Sequence, residues 1–355
     1  MIKAVGARIA TSSTPAGPAK DEAGRSLHLR RAMPMPVKWA YRLISALNQL
    51  SVGWLYDAVR FGRHSGMFKK ERDVSAKLAA ITKSYHAIEK GLALPEPRPG
   101  FGQIANEDLC RKVQAAIRDG ISDPEIGYAI DAIIGYRDFN EKAGVHNPAW
   151  INETIDLAAS HGIVGQVAPT RSPMSYDVAT GDASLNFILS RHSVRHFSDA
   201  DVPEEVLRNA TRAGQAAPCV CNRQASRVYF IKEPSLKQQM LACQNGNRGF
   251  GDTAPVVALV TVDLRNFLDA SERYQGWIDG GLFAMNLLLG IHAQGYGACC
   301  LNWSALPAQD KAVRGLGVIP PHESIIMMIA IGGLREKFKV ARSPRRGIES
   351  VMKII

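Results

Sequence analysis

The segment from Ser190 to Phe197 reads SRHSVRHF, and two of its arginines flank a serine at alternate positions. In an extended backbone alternate side chains point the same way, so Arg191, Ser193 and Arg195 are expected to project together. Two guanidinium groups and a hydroxyl suit a phosphate or a similar anionic group. A basic surface turn would have the same composition, so this stretch alone leaves both interpretations open.

Around this stretch, from Asp182 onward, the sequence mixes helical patterns with short apolar strands. Helices are predicted at 185–189, from 203 to about 212, and at 278–293. Strands are predicted at 227–232, 256–263, 297–301 and 325–331. Strict β-α-β alternation is missing, which favours an α+β sandwich over a doubly wound parallel sheet. No GxGxxG sequence follows a predicted strand, which argues against a Rossmann dinucleotide site.

The sequence before Asp182 has a different texture. Residues 36–162 read as an all-helical extension, with a mobile tail at 1–35 and a linker at 163–182. The helix predicted from Val37 to Phe61 is flanked by basic residues. It either packs on the protein or a partner, or lies in a membrane interface.

Charge and hydropathy limit the classes of partner. The net charge is +10, with 12 basic against 3 acidic residues in 1–70 and 7 against 2 in 335–355. Nucleic-acid binders usually carry a basic face within a folded domain, so we expect no nucleic-acid partner. Neither a bilayer-length apolar run nor a secretory leader is evident, which predicts a cytoplasmic protein. Peripheral membrane contact through residues 37–70 is the alternative that the basic helix leaves open.

Further motifs follow the opening stretch in a definite order. They are PEEVLRNATRAG (203–214), APCVCNRQ (217–224), GDTAP (251–255), a long apolar helix with a Gly-rich turn, and IAIGG (329–333) before a basic tail. This ordered set resembles the nitroreductase family of FMN-dependent oxidoreductases over residues 183–355. The resemblance implies a nitroreductase-like α+β sandwich, with a central, mainly antiparallel sheet flanked by helices.

The resemblance also implies roles for individual residues. Arg191, His192 and Ser193 match the segment that holds the FMN phosphate and ribityl chain, and Arg195 matches the basic residue beside the pyrimidine end of the flavin. Four residues match the polar loop near the flavin edge: Pro218, Cys219, Asn222 and Gln224. A third segment matches the chain that passes the ring near N5: Cys299, Cys300, Leu301 and Asn302. Arg342 and Arg345 match late basic residues that close on the phosphate, with Arg346 an equal candidate for the second.

The sequence departs from the family pattern at several positions. Ser190 and His192 stand where arginines are common, Cys219 replaces a serine, and Ala225 replaces a proline. These changes bear on substrate specificity more than on flavin binding. Neither the CxC nor the CC pair has the CxxC spacing typical of zinc ligands, so we expect no metal.

The family implies an enzyme in which two electrons pass through FMN, from NAD(P)H or an organic substrate to a nitro, quinone or conjugated acceptor. It also implies a homodimer with FMN at the interface. The helix at 278–293 would then form the centre of that interface, and a buried core helix is the alternative. The segment SYHAIEKGLALPEPRPGFG (84–102) resembles extended nitroreductase-like proteins, so the extension could cover the active site.

Two other functions fit the same sequence. One is a flavin-dependent dehydrogenase of a biosynthetic intermediate, which polysaccharide-linked relatives of the extension suggest. The other is a non-catalytic protein that binds flavin, or docks on a membrane or complex through its basic N-terminal helix.

Overall fold

The computed structural model of the protein describes residues 34–69, 72–165, 167–170 and 181–355. The chain divides into two compact units, Met1–Leu55 and Tyr56–Ile355. Helix α1 (Met35–His64) contributes the described residues of the first unit, and its last residues belong to the second. Nearly all of the predicted tail at 1–35, and most of the linker predicted at 163–182, lies outside the described residues. The domain boundaries stay predictions.

In the first unit, α1 has a large apolar surface open to solvent. Trp39, Ile44 and Trp54 are each about two-thirds exposed, at 67%, 68% and 71%. Among the described helices, none is both long and apolar enough to cross a membrane.

Four helices of the second unit pack around a core of their own. Asp73 caps the first of them through the backbone N–H of Ala76, and Asp123 caps the third through that of Glu125, with Pro124 in its first turn. Tyr85, Leu109, Ile130 and other buried residues fill their shared core. The helices are α2 (Val74–Leu92), α3 (Gln103–Arg118), α4 (Pro124–Lys142) and α5 (Ala149–Ser160).

The rest of the second unit is built on one antiparallel sheet. Its strands are β1 (Ser226–Ile231), β2 (Val256–Asp263), β3 (Tyr296–Asn302) and β4 (Glu323–Gly333). Their spatial order is β1-β2-β4-β3, with each neighbouring pair antiparallel. The central strand β2 is buried along its whole length, and β3 is an edge strand.

Both faces of the sheet are covered, because alternate residues of a strand point to opposite sides. Val256, Ala258 and Val260 enter one core with α7 (Glu204–Gln215) and α9 (Gln275–Ala293). Val257 and Leu259 enter the other core. That second core also takes residues of α8 (Pro234–Ala242) and α10 (Pro307–Gly315), and α6 (Asp182–Ser190) precedes the sheet in the chain.

The architecture confirms the predicted α+β class, with helices first and an antiparallel sheet after them. The predicted strands at 227–232 and 256–263 agree with β1 and β2 to within one residue. Helices α8 and α10 were not predicted, although each has a proline in its first turn. Both are only nine residues long, which leaves little periodicity for a sequence argument.

Candidate functional site

The predicted anion-binding stretch lies in extended backbone beside the edge strand β3. The backbone N–H of Val194 donates to the carbonyl of Ala298 at 3.0 Å, and Ser193 forms a parallel bridge with Ala298. A Cβ at Gly297 would lie 2.9 Å from the Cβ of Val194, so a larger residue there would push the stretch away. Val194 turns into the core, and the side chains on either side of it face outward.

Arg191, Ser193 and Arg195 all influence the thiol of Cys299. Burial raises the pKa of this thiol, while Arg195, a hydrogen bond with Ser193, and Arg191 act in the opposite direction. The guanidinium of Arg195 also lies over the ring of Phe250, 5.7 Å from its centroid. Within the described residues, no carboxylate pairs with Arg191 or Arg195. The stretch therefore presents two unneutralised cations beside β3.

The side chains of strand β3 alternate between buried and exposed from Cys299 to Asn302. Cys299 and Leu301 are buried, whereas Cys300 and Asn302 are exposed on the opposite face. The carbonyl oxygen of Asn302 accepts a hydrogen bond from Gln244 Nε2 at 2.9 Å, which ties the end of the strand to α8's exit. This brings the predicted ring-contacting segment next to the arginine stretch.

The loop that carries Pro218, Cys219, Asn222 and Gln224 has an unusual backbone. Cys221, Asn222 and Gln224 all have positive φ values, at 48°, 53° and 48°. Each non-glycine residue in the left-handed region costs roughly 1–3 kcal/mol, and such residues concentrate at functional sites. The loop is therefore held in a conformation that its own sequence does not favour.

Three residues that sequence reasoning missed hold this loop. The backbone N–H of Val220 donates to both carboxylate oxygens of Asp279 on α9, at 3.2 and 3.3 Å. The guanidinium of Arg223 donates to both oxygens of Glu272, at 2.8 and 2.9 Å, and to the carbonyl of Asn266. Arg223 lies within the motif, but no signal in the sequence pairs it with Glu272, which is 49 residues away.

The two predicted parts of the site are anchored at opposite ends of α9. The loop is bonded to Asp279 near the start of the helix. Ser190, next to the arginine stretch, lies 2.8 Å from Nε2 of His292 at the end of the helix. These anchors are 13 residues apart in one helix, which at 1.5 Å per residue is about 20 Å. A single chain therefore does not bring the arginine stretch and the loop together.

The late basic residues also stand apart. Arg342 and Arg345 lie in an exposed C-terminal tail, where Arg345 Nη1 donates to the carbonyl of Ser343 at 3.1 Å. Among the described residues neither contacts Arg191 or Ser193. His192 is exposed. Burial is the main cause that lowers the pKa of His292, and the charges of Arg191 and His192 lower it further.

A cavity of about 580 Å³ opens beside the loop. Pro218, Cys219 and Gln224 line one side of it, with Asp279 and Phe283 of α9. The opposite side is formed by α2 and by the start of α4. Its residues there are Ser75, Leu78, Ala79, Thr82, Asp123 and Glu125.

The cysteines of the two parts are free thiols. Burial raises the pKa of Cys219, and a hydrogen bond from the backbone N–H of Gln224 opposes it. Within the described ranges, no group of three or more His, Cys, Asp or Glu side chains is arranged to hold a metal ion.

The C-terminal part of the chain matches a known protein family. The nitroreductase family model matches residues 188–244 and 237–333. A relative named NADH dehydrogenase, from Thermus thermophilus, is 24% identical in a 175-residue alignment that covers 41% of this chain and 83% of that protein.

Two solved structures are also similar. A nitroreductase family protein from Streptococcus pneumoniae is 19% identical, with a TM-score of 0.41 over 48% of this chain and 100% of that chain. An FMN-dependent nitroreductase from Clostridium difficile is 20% identical, with a TM-score of 0.39 over 45% of this chain and 92% of that chain.

The antiparallel sheet with helices on both faces defines the C-terminal part of the chain as an α+β sandwich. Within that part, residues 188–333 match the nitroreductase family model, and a helical region precedes them.

Proposed function

We propose that this protein is an FMN-dependent oxidoreductase of the nitroreductase type. One observation carries the proposal: within the segment that the family model matches, the stretch with Arg191, Ser193 and Arg195 lies in extended backbone beside the edge strand β3, with both guanidinium groups unpaired among the described residues. The names of the relatives support an NAD(P)H-dependent activity, and one similar structure is an FMN-dependent enzyme.

The donor set of this chain suits FMN. A phosphate needs cations and hydroxyl donors that are not already neutralised by carboxylates, and Arg191 and Ser193 meet that requirement. Arg195 lies two residues further along the extended stretch, where a cation stabilises negative charge on a bound ring. When bound, FMN supplies the hydride chemistry that moves two electrons between NAD(P)H, or an organic substrate, and an acceptor.

The chain's own residues position the cofactor and control access to it. Gly297 lets the arginine stretch lie close to β3, and Asp279 holds the strained loop through Val220. Cys300 and Asn302 present the exposed face of β3 next to the arginines. Nitro, quinone and conjugated carbonyl compounds are the proposed acceptors.

We also propose a homodimer in which each flavin site takes its arginine stretch from one chain and its loop from the other. Two observations support this. The two parts are about 20 Å apart along α9 in one chain. In addition, α9 leaves an apolar stripe exposed, at Trp277 (45%), Ile278 (54%), Leu282 (41%) and Met285 (39%). Contiguous exposed apolar surface of this kind is typical of an interface.

The test is the visible absorption spectrum of the purified protein, with the released chromophore identified by mass. The Arg191→Ala/Arg195→Ala variant should lose bound flavin. A matched control, Arg111→Ala/Arg118→Ala, removes two exposed arginines of α3 and should keep it. Absence of flavin from the wild type after incubation with excess FMN would overturn the proposal.

The nearest alternative is the reverse direction, flavin-dependent dehydrogenation of a biosynthetic intermediate. Steady-state oxidation of NAD(P)H in the presence of a quinone distinguishes the two. Rapid turnover supports the reductase, whereas bound flavin without NAD(P)H oxidation supports the dehydrogenase.

The exposed apolar residues of α1, together with Lys38 and Arg42, support a second role at an anionic membrane surface. Liposome sedimentation of the full chain and of a chain without residues 1–70 tests it. Equal recovery of both chains in the pellet would remove this role, whichever result the flavin assay gives.

A further inference from the structure

The 580 Å³ cavity is shared between the segment that matches the nitroreductase family model and the helical region before it. Its volume is in the range of small-molecule sites, roughly 300–1,000 Å³. One wall is the loop that the proposed function places at the flavin edge, with Pro218 and Phe283 as apolar members. The facing wall comes from α2 and α4, which lie outside the matched segment.

The two walls are joined rather than loosely apposed. Lys83 of α2 lies 3.4 Å from Oε1 of Glu272, which is the partner of the loop residue Arg223. Arg265, next to the same loop, lies 3.8 Å from Asp73 at the start of α2. The helical region is therefore a fixed side of the cavity.

Asp123 and Glu125 are the two carboxylates of this wall, and Glu125 is the one held in place by neighbouring side chains. Its Oε2 accepts hydrogen bonds from Tyr85 at 2.7 Å and from Thr82 at 3.0 Å. Burial, followed by the bond to Glu125, raises the pKa of Tyr85, so its phenol remains a donor. No hydrogen bond of the described residues uses Oε1 of Glu125.

Two arginines lie on the other side of the cavity, and only one of them is paired with a carboxylate among the described residues. Arg227 Nη1 donates to the carbonyl oxygens of Gln224 and Ser226, at 2.7 and 2.9 Å. Arg223 is paired with Glu272. On the helical wall, the acidic side chains are Asp123 and Glu125, whose carboxylate oxygens accept hydrogen bonds.

Resting on the proposed function, we propose that Glu125 of the helical region determines the specificity of the acceptor pocket. The acceptor would place its redox-active end at the loop and a hydrogen-bond donor, an ammonium or a hydroxyl group, against Glu125. An acceptor without such a donor leaves the carboxylate facing an apolar group, which is unfavourable.

The experiment uses three acceptors that differ at one substituent: 4-nitrobenzylamine as its ammonium ion, 4-nitrobenzyl alcohol and 4-nitrotoluene. We measure kcat/KM for reduction by NAD(P)H, and the dissociation constants of the same compounds by ligand-observed NMR. The proteins are the wild type, Glu125→Gln, Glu125→Asp and the control Glu107→Gln. Glu107 is an exposed carboxylate of α3 that does not line the cavity.

We expect the wild type to prefer the ammonium and the alcohol over 4-nitrotoluene by roughly five- to tenfold. Glu125→Gln should lower the preference for the ammonium more than that for the alcohol, because the amide still accepts a hydrogen bond. Glu125→Asp should retain part of the ammonium preference, and Glu107→Gln should match the wild type. A preference confined to the ammonium would identify charge as the recognised feature, and an equal preference for both would identify the donor.

Equal values for all three compounds in the wild type, or ratios unchanged in Glu125→Gln, would overturn the inference. The NMR measurement needs no turnover, so it tests recognition even in a protein without flavin. Turnover without selectivity would contradict the inference alone. Selective binding without flavin or turnover would contradict the proposed function alone.

Discussion

Arginines of the same domain have opposite surroundings at the two parts of the candidate site. Arg191 and Arg195 lie at the edge of the sheet, without a carboxylate partner among the described residues. Arg223 has a side chain with 0% exposure and a bidentate pair with Glu272, and it lies 5.6 Å from the centroid of Phe267. A cation left unpaired at a surface is available to a ligand, whereas a buried and paired cation holds the chain.

The difference teaches that motif membership does not settle what a residue does. Both kinds of arginine occur in motifs that resemble the family pattern, and the sequence alone does not distinguish their roles. Their partners come from distant elements, and those partners separate a binding role from a structural one.

The largest effect should come from removing the buried cation. Arg223→Ala leaves Glu272 buried without its main partner, which should lower the free energy of unfolding by about 3–5 kcal/mol. Urea denaturation measures this change. Arg191→Ala/Arg195→Ala is the matched comparison and should change it by less than about 1 kcal/mol, because neither arginine has a carboxylate partner. Similar losses in both variants would break the comparison.

The next test mixes two defective chains. One carries Arg191→Ala/Arg195→Ala, and the other carries Asp279→Asn, which weakens the anchor of the loop. If each site is built from two chains, a mixed dimer has one intact site, and random mixing restores about a quarter of all sites. Flavin absorbance after co-refolding measures the restoration. No recovery would mean that each site lies within one chain.

Lowering the pH should weaken the buried ion pair between Arg223 and Glu272. Arg191 and Arg195 have no carboxylate partner among the described residues that acid could protonate. Burial raises the pKa of Glu272, but Arg223, the backbone N–H of Leu268 and Lys83 outweigh it and hold the pKa below its ordinary 4.5. A carboxyl with a lowered folded-state pKa stabilises the fold above its unfolded pKa, and this is lost as the pH falls through the folded pKa.

As the pH falls below 4.5, the wild type should therefore lose more stability than Glu272→Gln. Urea midpoints at several pH values test this. Parallel pH profiles of the two proteins would show that Glu272 does not titrate as described.

The smallest effect should come from the N-terminal cap of α2, a helix on the side of the cavity that faces the loop. Asp73 accepts a hydrogen bond from the backbone N–H of Ala76, so Asp73→Ala should cost about 1 kcal/mol. Asp73→Asn is the control, because asparagine caps equally well while removing the charge that faces Arg265. If Asp73→Asn and Asp73→Ala both lower the free energy of unfolding by more than about 2 kcal/mol, the ion pair with Arg265, rather than the cap, stabilises the fold.

Much of the fold could be read from local patterns. The apolar run of β2 appears where the sequence predicts it, because the pattern depends on neighbouring residues. Asp123 and Pro124 likewise form a local start signal for α4, as a capping residue followed by a proline. For α9, the sequence left two alternatives, a buried core helix and a helix at the centre of a dimer interface. In the structure one face of α9 is buried by the sheet and α7, and the other exposes Ile278 and Leu282. The dimer interface stays a prediction.

The sequence by itself determined the α+β class, the helical region that precedes the sheet, and the grouping of Arg191, Ser193 and Arg195 on one side of an extended stretch. Each follows from periodicity or spacing over a few residues. Only the tertiary structure decided that Arg223 pairs with Glu272, that the loop and the arginine stretch lie at opposite ends of α9, and that Glu125 faces the loop across a cavity. The hydrogen bonds among those contacts join residues 49 to 102 positions apart, and packing of whole helices against the sheet, rather than local preference, brings them together.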